Sequence, residues 1–152
     1  MTAVFARESL ASVKPEMLTL LDDHWREVEL NQDKIKLSPH WEAYAHLDSI
    51  GALHIYTART DGELAGYLVF FVSQAIHHVE HLFAMGDVIY IRPESRACFY
   101  GLKLIQYAES ELKKANVSFV TITSKVDTPI DSIAERAGYK NTERVLTKYI
   151  GD

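Results

Sequence analysis

The chain has 152 residues, is 47% hydrophobic and carries a formal net charge of −5, with a sequence pI ≈ 5.8. That apolar mass is enough for one core, so a single domain over residues 1–152 is expected. The acidic balance disfavours a nonspecific nucleic-acid binder and an anionic-membrane binder, because both need a positive field.

Pro15 opens a helical pattern in which Met17, Leu21, Trp25 and Val28 share one face, at spacings of four, four and three. Ser38-Pro39 reads as an N-cap followed by proline at the first helical position. The short helix it starts carries Trp41, Tyr44 and Leu47, and Gly51 ends it. Residues 52–58 and 63–72 then flank Thr60-Asp61-Gly62, a hairpin signal. A third strand is expected over residues 82–91. The next helix turns Leu102, Ile105, Ala108 and Leu112 inward and pairs Glu109 with Lys113 outward. Residues 118–123 form a short β-rich run. Pro129 starts a last helix that packs Ile130, Ile133 and Ala137 inward, with Gly138 as its cap. Residues 142–150 read as a final strand. Hairpin strands followed by a strand–helix–strand unit predict an α/β (α+β) fold, a mixed sheet with helices on both faces.

Two properties bear on location. The lone Cys98 can form no internal disulfide and has no cysteine partners for structural zinc, which points to a reducing interior. No apolar run reaches the roughly 20 residues of a membrane span, and residues 1–7 are too short and polar for a signal peptide. A soluble, cytoplasmic protein is expected.

The stretch from Tyr90 to Ile105 carries the most chemistry. An apolar strand enters a short turn and then an amphipathic helix, and the first helical turn leaves backbone N–H groups free to hold a phosphate. Arg96 adds a cation at the turn. The turn reads Arg96-Ala97-Cys98-Phe99-Tyr100-Gly101 after Pro93-Glu94, and Ala137-Gly138-Tyr139 closes the last helix. These motifs, in this element order, resemble the GNAT superfamily of N-acyltransferases from about Leu18 to the C-terminus. The set His24-Trp25, Glu27, Pro39 to Tyr44, Gly51-Ala52-Leu53, Asp61-Gly62, Gly66-Tyr67, His77-His78 and Asp87-Val88 is similar to phage-encoded members, some of them accessory or virion proteins.

The resemblance implies a V-shaped cleft between the middle strands and acetyl-CoA as acyl donor. Pantetheine would pair with the backbone of Ile89, Tyr90 and Ile91. The pyrophosphate would sit on the amides of Arg96, Ala97, Cys98, Phe99, Tyr100 and Gly101, with Lys103 near and Asp127 at a further cofactor-contacting position. The implied partner is an unidentified primary amine, with no membrane, nucleic acid disfavoured, and a homodimer or a phage or host protein as further partners. Three positions depart from the family pattern. Phe99 stands where a glycine lets backbone approach phosphate. Ala134 stands where a tyrosine usually protonates the leaving thiolate, and Asp127 replaces an asparagine. These departures support an alternative, a catalytically degenerate GNAT fold serving as a structural or host-interaction module.

Each candidate side chain has two readings. Asp87 is a general base if burial raises its pKa, or a strand carboxylate making local hydrogen bonds. In His77-His78-Val79-Glu80-His81, neighbouring side chains diverge on a strand, so a metal site is disfavoured. His78 is a site-lining proton relay by the phage-type resemblance, or a solvent-facing loop residue. Glu27 and Glu29 either hold a cationic acceptor or form the acidic outer face of a helix. Trp25, Trp41, Tyr44, Tyr67 and Phe71 line a pocket or fill the core. Cys98, at a helix N-terminus, has a lowered thiol pKa, but nothing else marks it as a nucleophile.

Overall fold

A computed structural model describes residues 2–152. Five strands form one sheet in the order β1-β2-β3-β4-β5. They are β1 (Ala3–Glu8), β2 (Leu53–Thr60), β3 (Glu63–Ala75), β4 (His78–Ile91) and β5 (Val117–Thr121). The first four pair antiparallel and β5 joins β4 in parallel, giving the expected mixed sheet. Helices α1 (Leu10–Val28) and α2 (Trp41–Ser49) precede β2; α3 (Tyr100–Lys114) and α4 (Ile130–Arg136) flank β5 in sequence.

The two faces of the sheet bury separate apolar clusters. On one, Leu104, Ile105, Ala108 and Leu112 of α3 pack on Tyr56, Leu68, Phe70 and Ala84, with α4 joining through Ile130 and Ile133. On the other, Leu10, Val13, Met17 and Leu20 of α1 cover Leu53, Ile55, Leu64 and Val69, and α2 adds Trp41, Tyr44 and Leu47. Leu104 has no exposed surface, and burying such a side chain contributes about 2 kcal/mol. The β2–β3 hairpin turns where expected, with Asp61 and Gly62 at φ 52° and 85°. Both values are positive, as the turn that matches strand twist requires.

Four elements differ from the sequence expectation. Strand β1 was not anticipated: AVFARE is short and rich in alanine and charge, and it becomes a strand only by pairing Ala3 to Glu8 with Thr60 to Ile55 of β2. Arg59 fastens it, with Nε donating to Glu8 Oε1 at 2.8 Å and NH2 bridging to Glu16 of α1 at 2.7 Å. Helix α1 begins at Leu10, with Ser9 Oγ accepting from the Ser12 N–H, so Pro15 lies inside it and does not open it. Helix α2 is capped by His40, whose Nδ1 accepts from the Ala43 N–H, and not by Ser38. The final strand is absent. Residues 142–150 are irregular and pair with no strand, with Val145, Leu146 and Ile150 at 75%, 93% and 86% exposure. Their apolar residues fall in adjacent pairs, Val145-Leu146 and Tyr149-Ile150, so no single strand face is apolar. Strand β5 is therefore a sheet edge.

Candidate active site

The sheet opens where β4 leaves β5. Their ladder ends at Met85–Thr121, and β4 continues to Ile91 with no strand beside it on that side. Gly86 marks the parting point, since a Cβ there would lie 2.9 Å from the Thr121 carbonyl oxygen. Beyond it, Arg92 donates its N–H to Ala65 at 2.9 Å. With the register Gly66–Ile91 and Tyr67–Tyr90, antiparallel alternation turns the peptide groups of Ile89 and Ile91 away from β3 and toward the opening. The backbone of Tyr90 stays in the ladder with Tyr67.

A cleft of about 190 Å³ occupies the opening. Ile89, Tyr90 and Ile91 form one wall, and Ile130, Ile133 and Arg136 of α4 form another. Gly101 and Leu102 line it from the first turn of α3, where helix geometry leaves N–H groups without intrahelical acceptors. Arg96 reaches in from the 3₁₀ helix Pro93–Cys98. Its Nε donates to Ile91 O at 2.9 Å, NH2 pairs with Glu27 Oε2 at 2.7 Å, and the guanidinium lies 5.8 Å from the Tyr90 ring centre. Phe99 lines the same cleft at φ 57°, ψ 26°, a left-handed conformation, and is 58% exposed. The chain thus keeps a backbone shape that suits glycine while carrying a phenylalanine, a strain of about 1 kcal/mol.

A second cavity, of about 260 Å³, lies on the α1–α2 face. Leu21 and Trp25 of α1 line it, as do Trp41 and Tyr44 of α2. The predicted apolar stripe of α1 therefore splits in two. Leu10, Val13, Met17, Leu20 and His24 face the sheet, and the neighbouring Leu21 and Trp25 face the cavity. Asp87 and Val88 of β4 line it from below, one residue before the cleft residue Ile89.

Asp87 is aimed by a β-bulge. Val69 pairs with Val88 and Phe70 with Gly86, so Asp87 is the extra residue on its strand. Its Oδ2 accepts from Tyr44 Oη at 2.6 Å. Burial holds the Asp87 carboxyl above the ordinary carboxylate range, partly opposed by the Tyr44 hydrogen bond. Burial, then the bond to Asp87, push the Tyr44 phenol upward, so it stays a neutral donor. Behind them, buried His24 meets Tyr67 Oη through Nδ1 at 2.8 Å and stacks on Tyr90 with ring centres 4.8 Å apart. Burial pushes His24 down to about 4, against a weaker upward pull from Glu27, and it is neutral at physiological pH.

The structure separates the residues singled out from the sequence. Asp87 stands in the aromatic cavity. Glu27 stands in the cleft, paired with Arg96 and not facing Asp87. His78 is exposed at the far end of β4, stacked on Phe83, roughly 30 Å along the strand from Asp87. It lines neither cavity, and no group of three or more metal-ligating side chains forms among the described residues. Ala97 and Cys98 are exposed on the 3₁₀ helix, while Tyr100 is buried against Phe5. Lys103 is exposed with Nζ 5.9 Å from the Tyr100 ring. Asp127 is exposed in the loop before α4, whose next residues Thr128 and Pro129 line the cleft. Sequence reasoning missed Arg136, a second cation on the cleft; its place on the last turn of α4 was the available signal.

The family model for the acetyltransferase (GNAT) family matches residues 15–139. This chain belongs to the GNAT family. Solved structures share the fold at low identity. An aminoglycoside acetyltransferase from an uncultured soil metagenomic sample matches with TM-score 0.75 and 14% identity, over 98% of this chain and 95% of that one. A ribosomal-protein-alanine N-acetyltransferase from Brucella melitensis biovar Abortus 2308 matches with TM-score 0.75 and 16% identity, over 99% of this chain and 100% of the other. Glucosamine-6-phosphate N-acetyltransferase from Arabidopsis thaliana gives TM-score 0.72 and 14% identity, over 99% and 100%. No curated protein sequence matches significantly. Among the described residues of this GNAT protein, no helix is long and apolar enough to cross a membrane.

Proposed function

We propose that the chain transfers an acetyl group from acetyl-CoA to a primary amine, with the donor in the β4–β5 cleft and the amine in the aromatic cavity. One observation carries this reading: consecutive residues of β4 line the two cavities, Asp87 and Val88 one, Ile89 to Ile91 the other. A donor and an acceptor bound there meet across one residue of strand.

The cleft fits the donor. Ile89 and Ile91 offer a donor and an acceptor each for an extended amide-bearing arm, except that Ile91 O already accepts from Arg96. Arg96, Arg136 and the first turn of α3 supply positive potential for a pyrophosphate. The Phe99 N–H is already spent on Arg96 O at 3.3 Å, so the turn's contribution comes from the α3 residues that line the cleft, Gly101 and Leu102. Bound acetyl-CoA supplies a thioester, an acyl group already activated toward amines. The chain's own residues do the rest. Aromatic walls orient the amine, a contribution of position and not of chemistry. Asp87 takes the ammonium proton on Oδ1, the oxygen left over by Tyr44, and its raised pKa makes it a better base near neutrality. Tyr44 fixes the carboxylate's orientation. Ala134 brings no hydroxyl to its position, so as the amine nitrogen bonds to the acyl carbon and the carbon–sulfur bond breaks, CoA would leave as its thiolate and take its proton from solvent.

A second reading, a GNAT fold kept as an interaction module, is favoured by the strained Phe99 and by Ala134. Thiol release from acetyl-CoA on adding amines separates the two. Transfer that falls about a hundredfold or more in Asp87→Asn, mainly in kcat, supports the enzyme. No transfer to any of a broad set of amines supports the module. The phage-type motif set supports a phage origin, and the single free Cys98 supports a reducing, cytoplasmic setting.

A further inference from the structure

The acceptor cavity is chemically one-sided, and that narrows the amine. Trp25, Trp41 and Tyr44 present three aromatic rings, with Leu21 and Met17 beside them. Two carboxylates reach it, Glu29 from the end of α1 and Asp87 from β4, and of the two only Asp87 sits on the strand that also lines the donor cleft. Glu29 Oε1 already accepts the N–H groups of Leu30 at 2.9 Å and Asn31 at 3.3 Å, which close the end of α1. Asp87 spends one oxygen on Tyr44 and keeps the other. The cavity therefore matches an ammonium on an apolar, ring-bearing body: the carboxylate takes the charge, and the aromatic faces take the body and favour the adjacent cation.

Size and polarity argue against other amines. At about 260 Å³ the cavity lies below the roughly 300 Å³ where drug-sized pockets begin, so a multi-ring aminoglycoside cannot enter whole. A sugar hydroxyl buried against Met17, Leu21 and the ring faces would lose its water partners there. For a phosphate, the cavity offers Lys36 alone, on an exposed loop.

Resting on the acetyl-transfer reading above, we propose that the acceptor is a small amine with an arylalkyl body. The solved structures with the same fold bear the names of sugar-amine and protein acetyltransferases, so the proposal departs from them.

Both tryptophans of the chain, Trp25 and Trp41, line this cavity, so tryptophan emission reports on it directly. Titration with 2-phenylethylamine, its uncharged isostere 2-phenylethanol, glucosamine 6-phosphate and kanamycin tests the proposal. The expected result is a saturable change with 2-phenylethylamine, about tenfold tighter than with 2-phenylethanol and tighter still than with the two sugars. Asp87→Asn should erase the difference between amine and alcohol. Thiol release from acetyl-CoA should rank the three amines in the same order. A sugar amine that binds or reacts better than 2-phenylethylamine overturns the proposal and leaves acetyl transfer standing. Tight 2-phenylethylamine binding without transfer to any amine supports the cavity's specificity and overturns acetyl transfer instead. No emission change with 2-phenylethylamine overturns the proposal outright.

Discussion

Protonation of the buried His24 should make the fold acid-sensitive; His54, which burial also pushes down to about 4, adds its own share whether or not His24 is present. The His24 ring is 5% exposed, bonded to Tyr67 and stacked on Tyr90, and burial depresses its pKa from 6.5 to about 4. A depressed histidine pKa means that the unfolded chain binds the proton first as pH falls. Stability is then fully present above 6.5 and is lost progressively down to about 4. At 1.36 kcal/mol per unit, the loss across that window is about 3 kcal/mol. For a chain of this size that corresponds to a fall in melting temperature of about 6–12 °C. His24→Gln keeps a polar partner for Tyr67 and cannot titrate. Melting curves of both proteins across the window, each referenced to its own value at neutral pH, isolate the term. The carboxylates Glu8 and Glu16, which Arg59 holds below their usual range, lose their contribution in both proteins alike. Parallel curves for wild type and His24→Gln would refute the assignment of the buried ring.

Asp87 should give the opposite sign. Its raised pKa means that the buried carboxylate stabilises the fold less once ionised, so its contribution falls as pH rises through the folded value. Asp87→Asn, which still accepts from Tyr44, should melt higher than wild type at neutral pH while losing transfer; thermal melts beside the thiol assay check the pair of effects. In the wild type, transfer should fall on acidification with an apparent pKa above the ordinary carboxylate range, read from the pH profile of kcat/KM. Phe99→Gly relieves a left-handed phenylalanine at a mostly exposed position. It should change stability by less than about 1 kcal/mol, because strain relief and glycine entropy offset each other. It should also tighten acetyl-CoA binding, measured by calorimetry.

The parts of the fold legible in the sequence were those with local signals. The Asp61-Gly62 turn fixed one hairpin, and the apolar periodicity of residues 102–112 fixed α3. Strand β1 was invisible because its strand character comes from β2 and from Arg59, not from its own residues. The expected last strand failed for the converse reason: high local β-propensity had no partner edge and no consistent face. At the site, the strand–turn–helix that carries Arg96 was legible. The partner of Asp87 was not, since Tyr44 lies 43 residues away and a bulge at the strand centre turns the carboxylate toward it. Glu27 was read beside Glu29 as a holder of a cationic acceptor or as an acidic outer face, yet α1 delivers Glu27 to Arg96 and leaves its Leu21–Trp25 face for the aromatic cavity.

The central claim is that the opening between β4 and β5 holds acetyl-CoA. Isothermal titration of the wild type and of Arg96→Gln tests it most directly. Binding on the order of micromolar is expected for the wild type, weakened at least about tenfold when the guanidinium is removed. No heat of binding at millimolar acetyl-CoA, or equal affinity in the two proteins, would contradict it.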